Sequence, residues 1–457
     1  MPSAIDLSSL TDPQKDALIL SLLPVAGQLQ AALARIGELE AQIETLTRPP
    51  KTPDNSSQPP SSSRKVNRKA AGKQRRRRSG PGIGRALHDA PDRTVELYVE
   101  TCQTCTSAFP IQAQTRQHAY DRIELPPIKP DVTRVHLFGG RCGCCGTRAI
   151  ASAPAGLQPG SPFGHSVAAM AVYLHYTHAI SLERLRTLMA EVFGLSISEG
   201  ALCNILARAR TPLAEVATEI AAVVRIARVV CSDETSVRVA GRTWWEWVFV
   251  TGAAVLHVIR PSRGKIVPQE VFGGVRPGVW VSDALGSQRG HAEKWQMCLA
   301  HLLRDAQYAI DCGDAVFSTQ FKALLLRAIA IGRRRPGLRD TTLAQYHADL
   351  DRRLDRIMAT APRGRDGEKL RKRIGRHRAH LFVFMADRDV PPTNNTSERH
   401  LRPSVIFRKV TNGFRSEWGA ETYAAFRSMG STAKLTGRSV LHATRNALTG
   451  YSLAGVG

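Results

Sequence analysis

Residues 226–239 read IARVVCSDETSVRV, and residues 278–287 read GVWVSDALGS. Each is a run of β-branched and apolar residues leading to Ser-Asp, the pattern of a buried strand that delivers a carboxylate. Between them, TWWEWVFVTG (243–252) and AVLHVIRPSRG (254–264) continue the strand signal, and a long helical segment follows. Three adjacent strands, a fourth and a helix predict a mixed α/β sheet. Asp233 and Asp283 stand at the ends of two neighbouring strands in this reading, where two carboxylates can share a metal ion. Glu234 adjoins Asp233 but points to the opposite face of its strand, so it is read as structural.

A third acid lies far downstream, in VPPTNNTSERHLRPSVIFRKVTNGFRS (390–416). Two prolines stop the preceding element, Asn394 and Thr396 suit a helix start, and Glu398 falls in the first helical turn, where negative charge is favoured. Arg399, His400, Arg402, Arg408, Lys409 and Arg415 crowd around it. One acid among bases is ordinarily a surface ion pair, yet bases lining an acidic metal site are also what phosphodiester chemistry requires. Asn395 and Arg402, three and four residues from Glu398, share its helix face and are candidate supporting groups. His301 follows Cys298 as Cys-x-x-His on the helix after Asp283, to orient a carboxylate, contact a phosphate or serve packing. Trp244, Trp245 and Trp247 are strand aromatics, for the core or for stacking on an unpaired base.

The chain has 457 residues, with 63 Lys and Arg against 39 Asp and Glu, a net charge of +24 and a pI near 10.3. That balance favours a polyanionic partner, nucleic acid first. Hydrophobic residues at 43% and charged residues at 22% leave most of the chain able to form a core. No uninterrupted apolar run approaches the ~18 residues of a spanning helix, the best stretch, 219–230, being broken by Arg225 and Arg228. No membrane association is therefore expected. The opening residues MPSAIDLSSLTDPQKD lack a basic segment leading into an apolar one, so no secretory leader is expected and a cytoplasmic location follows.

Upstream, Leu22, Leu29, Ile36 and Ile43 recur every seven residues, with Leu18, Val25, Ala32, Leu39 and Leu46 between them. This heptad pattern predicts a coiled-coil helix over 1–47 that pairs with a second copy, the alternative being one amphipathic helix packed on its own domain. Residues 48–92 turn to Pro, Ser, Asn, Lys and Arg and read as a disordered basic linker. Residues 51–85 alone hold a net +10, densest at Arg75, Arg76, Arg77 and Arg78, which predicts phosphate contact rather than only a solvated tail.

Alternating segments at 94–99 and 132–138 each lead to a cysteine pair, Cys102-x-x-Cys105 and Cys142-x-x-Cys145. Two such knuckles bring four thiolates to one tetrahedral zinc, so a zinc-ribbon-like module is expected over 93–155. Cys144 competes with Cys145; Gly146 after Cys145 relieves the tight turn and favours the latter. His118 and His136 are possible substitute ligands. Residues 156–225 read as helical, and SLERLRTLMAEVFGLSISEGALCNILARA (181–209) as two helices about a turn at Gly194, similar to a helix-turn-helix or to any packed helical pair.

The order of heptad helix, KTPDNSSQPPSS linker, paired knuckles, SDETSV, SDALG with CLAHLLRD, and NNTSERHLRP with FRKVTNGFRS resembles the insertion-sequence 66 family of bacterial transposases over nearly the whole chain. The resemblance implies a ribonuclease H-like core with catalytic Asp233, Asp283 and Glu398 binding magnesium or manganese. The core would span 226–310 and 391–457, with an α-helical, basic insertion over 311–390. Two divalent ions about 4 Å apart would promote cleavage at element ends and transfer of the 3′-hydroxyl into target DNA. The implied partners are double-stranded DNA, met in part by Arg408 and Lys409, and helper proteins encoded beside some members. The implied location is the bacterial cytoplasm, at the nucleoid. The rival readings are a related nuclease or integrase, and an inactivated transposase that binds DNA through its zinc module.

Overall fold

The computed structural model describes residues 10–56 and 85–450. The chain divides into two units. One comprises Met1–Arg64, Pro159–Leu185 and Glu199–Gly457, the other Lys65–Gln158 and Arg186–Ser198. Arg75, Arg76, Arg77 and Arg78 lie outside the described residues.

The first element among the described residues is α1 (Asp12–Thr47), whose start is closed by a capping box between Thr11 and Gln14. Its apolar stripe is solvent-exposed at Leu22, Val25, Leu29, Ile36, Leu39 and Ile43. The expectation about spanning segments needs correction here. Residues Asp12–Glu40 are, by length and composition alone, apolar enough to cross a membrane. Gln28, Gln30 and Arg35 interrupt the run without making its average polar.

Residues 48–56 also differ from expectation. They form a compact turn in which Asn55 is only 5% exposed, because its side chain finds acceptors and a donor that a free linker would lack.

In the smaller unit, β1 (Gly139–Arg141) pairs antiparallel with β2 (Arg148–Ile150). The expected strands at 94–99 and 132–138 do not form. Val99 instead bonds the Gln114 amide in both directions, at 2.9 and 2.8 Å, so a side chain takes the place of a neighbouring strand.

The sheet of the larger unit is preceded by α2 (His165–His178), α3 (Leu182–Phe193), α4 (Glu199–Arg208) and α5 (Arg210–Arg225). It contains β3 (Val229–Val239), β4 (Arg242–Val250), β5 (Val255–Arg260), β6 (Val279–Ser282) and β7 (Lys294–Met297), with α6 (Ile266–Phe272) between β5 and β6. The order is β5-β4-β3-β6-β7; β3, β4 and β5 are antiparallel, whereas β6 and β7 run parallel to β3. This is the expected mixed sheet with one strand more: KWQM at β7 carries no alternation to announce it. One face packs Trp247, Phe249, Phe272 and Trp280 together. Trp247 is fully buried, while Trp244 and Trp245 are half-buried.

After the sheet come α7 (Leu299–Asp311), α8 (Phe317–Arg334), α9 (Asp340–Ala359), α10 (Gly364–His377) and α11 (Val383–Ala386), then α12 (Asn395–Thr411), α13 (Glu417–Leu435) and α14 (Val440–Leu448). Helices α12 and α13 cover the second face of the sheet. The turn after α12 is fixed by Gly413 (φ 97), since a Cβ there would meet Arg238 O at 2.4 Å. Phe414 can then bond β3 by donating to Arg238 O at 2.8 Å and accepting from Ala240 N at 2.9 Å.

Candidate active site

The site is built from the register of two parallel strands. Val229, Val230 and Cys231 of β3 lie level with Val279, Trp280 and Val281 of β6. Asp233 lies two residues past the last position at which β3 pairs with β6, and Asp283 directly follows the end of β6, near enough for its charge to act on Asp233. Contrary to the sequence reading, Asp233 does not end its strand. Its parallel neighbour ends, while β3 continues to Val239 against β4. Asp233 is opposite Val248 and Glu234 opposite Trp247, so the two acids occupy opposite faces. Glu234 is held by Arg263 at 2.9 Å and Gln288 at 2.6 Å, a structural position.

Glu398 is brought in by α12. Asn394, fully buried, donates from Nδ2 to Ser232 O at 2.7 Å and from its backbone N–H to Cys298 Sγ at 3.0 Å. Its Oδ1 accepts from Ser397 at 2.8 Å. The expected helix cap thus spends its side chain on the sheet and on Ser397 and its backbone N–H on Cys298, fixing where α12 starts. Glu398 Oε1 accepts from Arg304 Nη2 at 2.9 Å and lies 3.8 Å from His301 Nε2. His301 and Arg304, one turn apart on α7, therefore flank the third acid.

The electrostatics register this convergence. Burial, then the charges of Glu234, Asp283 and Glu398, push the Asp233 carboxyl well above its ordinary range, against one bond from Glu234 N–H. Burial holds His301 below its ordinary value, with Arg304 adding to the effect against the pull of Asp283, Glu398 and Asp305. Its Nδ1 is buried without a hydrogen-bond partner. Among the described residues, no three His, Cys, Asp or Glu side chains are close enough together to hold a metal ion as they stand. Three carboxylates are nonetheless an all-oxygen donor set of the chemistry that magnesium or manganese takes.

Other candidate residues lie further from this cluster. Asn395 and Arg402 are exposed on α12, as is Lys409. Arg408 turns inward, donating to Ser236 O and, at 3.0 Å, to Thr235 Oγ1, so its charge braces β3. The groups the sequence reading missed are Asn394, read as a cap alone, and Arg304, whose signal was its three-residue spacing from His301.

In the smaller unit the two cysteine turns match. Thr106 and Gly146 are both left-handed, at φ 59 and 69, and each donates to the carbonyl of the first cysteine at 2.9 Å. Hydrogen bonding to Ser107 lowers the Cys105 thiol, and hydrogen bonding to Thr147 lowers Cys145 to about 7. Cys145, not Cys144, is the counterpart of Cys105.

The sequence profile described as Transposase IS66 family matches residues 160–422, more than half of the chain and all of the sheet and acid cluster. The chain belongs to this family. No curated protein sequence matches it significantly. As an IS66-family transposase, the protein has DNA as its partner class. Its three acids fall inside the matched region, whereas α1 and the cysteine turns precede it.

Proposed function

We propose that this IS66-family transposase is a metal-dependent polynucleotidyl transferase with a ribonuclease H-like core, using Asp233, Asp283 and Glu398. The observation that carries the proposal is the convergence on Asp233: an aspartate just beyond the end of the next parallel strand and a glutamate on the helix anchored by Asn394, both of whose charges act on it. The strand order, with three antiparallel strands followed by two parallel ones, supports the core assignment. Asp233, flanked by Asp283 and Glu398, would hold magnesium or manganese, whose contribution is Lewis-acid activation of water or a 3′-hydroxyl for in-line attack at phosphorus. Arg304 and His301 hold Glu398, which would be the third carboxylate toward that metal. Exposed Arg402 and Lys409, on the same helix as Glu398, would offer phosphate contacts away from the acids. No side chain forms a covalent link to DNA in this scheme.

Labelled element-end DNA incubated with magnesium tests the assignment. Asp233→Asn, Asp283→Asn and Glu398→Gln each lower both cleavage and strand transfer by at least about a hundredfold while DNA affinity persists. Activity equal to the parent in all three would exclude the acids and leave a non-catalytic DNA-binding role. Cleavage without strand transfer by the parent would indicate a nuclease.

Two further assignments belong to this reading. Cys102, Cys105, Cys142 and Cys145 would hold a structural zinc, supported by their matched turns and lowered thiols. The exposed heptad stripe of α1 would pair with a second copy. Metal analysis and light scattering of the purified chain test them together, with one zinc per chain and a dimer expected.

A further inference from the structure

Residues 48–56 sit on α7 and α10 through three contacts of different kinds. Arg48 Nη2 bonds Asp366 Oδ2 at 3.2 Å, Lys51 Nζ lies 5.5 Å above the Tyr308 ring, and Asn55 Nδ2 donates to Asp311 Oδ2 at 2.9 Å. The segment is folded to make them. Thr52 donates its N–H to Asn55 Oδ1 at 2.7 Å, and Ser56 Oγ donates to Thr52 O at 2.6 Å. A buried asparagine satisfied on both sides of its amide is the mark of a docked segment rather than a passing linker.

The receiving surface leads to the acid cluster. His301, Arg304, Asp305, Tyr308 and Asp311 recur at three- and four-residue steps along one side of α7. At one end of this stripe His301 and Arg304 hold Glu398; at the other, Tyr308 and Asp311 receive the segment. Between them, Asp305 is bonded by Arg373 of α10 and feels the charge of Lys51.

We infer that the α7–α10 surface is a receptor for the chain's own residues 48–56, and that this docking holds the start of the basic arm beside the helix that positions Glu398. The inference rests on the acid-site reading for its consequence but not for its test. The Arg48–Asp366 pair supplies charge complementarity, and the Asn55–Asp311 bond supplies register. DNA held by the arm is thereby offered to the site from a fixed point rather than from a free tether, which raises its effective concentration there.

Timed trypsin digestion of the full chain, followed by mass spectrometry, reads the docking through the Lys51–Thr52 bond. In the parent that bond is cut slowly. Asn55→Ala speeds its cutting roughly tenfold, because proteolysis follows the population of the undocked form. Arg48→Asp and Asp366→Arg each do the same, and the double variant returns the rate to that of the parent. Melting curves identify any variant that has lost its fold, and the double variant guards against that reading. Equal cutting in the parent and Asn55→Ala, or no recovery in the charge swap, overturns the inference. Failure of the acid triad would remove strand transfer from consideration and leave this protection pattern unchanged.

Discussion

At the residue scale, Asp233 is the carboxyl most crowded by other acids in the candidate site. Its carboxyl is pushed up by burial and by three neighbouring acids, so the charged form is disfavoured in the fold. A group raised in this way stabilises the folded state below its unfolded value and loses that contribution as pH rises. Metal-free Asp233→Asn should therefore melt higher than the parent at pH 7, with the difference shrinking at acid pH; scanning calorimetry in chelator checks it. A lower melting point would mean that the carboxylate is better satisfied than its neighbours suggest. The two aspartates were legible in the sequence because each ends a short apolar run. The role of Asn394 was not, because its partners Ser232 and Cys298 are distant in sequence and no local pattern names them.

At the scale of elements, α12 is placed by a buried polar knot as well as by Asn394. Ser404 Oγ donates to Glu246 Oε1 at 2.7 Å and accepts from Tyr423 at 3.0 Å, and His257 Nδ1 lies 2.9 Å from the same Glu246 oxygen. Arg427 reaches His400 O and Ser431 Oγ, each at 3.2 Å. These groups join β4, β5, α12 and α13 on the face of the sheet that bears Asp233. Ser404→Ala leaves Glu246 and Tyr423 each short of a partner and should cost about 2 kcal/mol, read by urea denaturation. Catalysis should fall as well, since the helix carrying Glu398 loses its axial stop. The helix itself was predictable from its start signals. The knot was not, because Glu246 in TWWEWVFV reads as an outward-facing residue of an alternating strand.

For the whole molecule, the net +24 is less available to DNA than the composition implies. Arg335 is buried and donates to the carbonyls of Phe384, Asp387, Arg388 and Val390, closing the helical segment between α8 and α12. Arg228, Arg373, Arg378 and Arg388 are each paired with an aspartate. Composition reports charge but not who has claimed it, so basic residues of the insertion read as a DNA surface when several are struts. Acid stability follows from a different set. Burial holds His175 and His257 below their ordinary value, and burial with the charges of His257 and Arg427 takes His400 down to about 4. Histidines kept neutral in the fold favour it above the unfolded value of 6.5 and cease to do so as pH falls toward 4. The melting temperature should drop steadily from pH 6.5 to 4.5, and His400→Gln should flatten part of that slope.

The bond from Asn394 to Ser232 joins positions 162 residues apart. A hairpin such as β3–β4 closes quickly and locally, whereas a loop of that size closes late. During synthesis the first two acids emerge and can be folded into strands well before the third exists. A nascent chain cut before α12 therefore holds an incomplete set of acids, and the acid cluster is completed only after the strands that carry its first two members. Pulse-labelled hydrogen exchange during refolding would see β3 and β4 protected before α12.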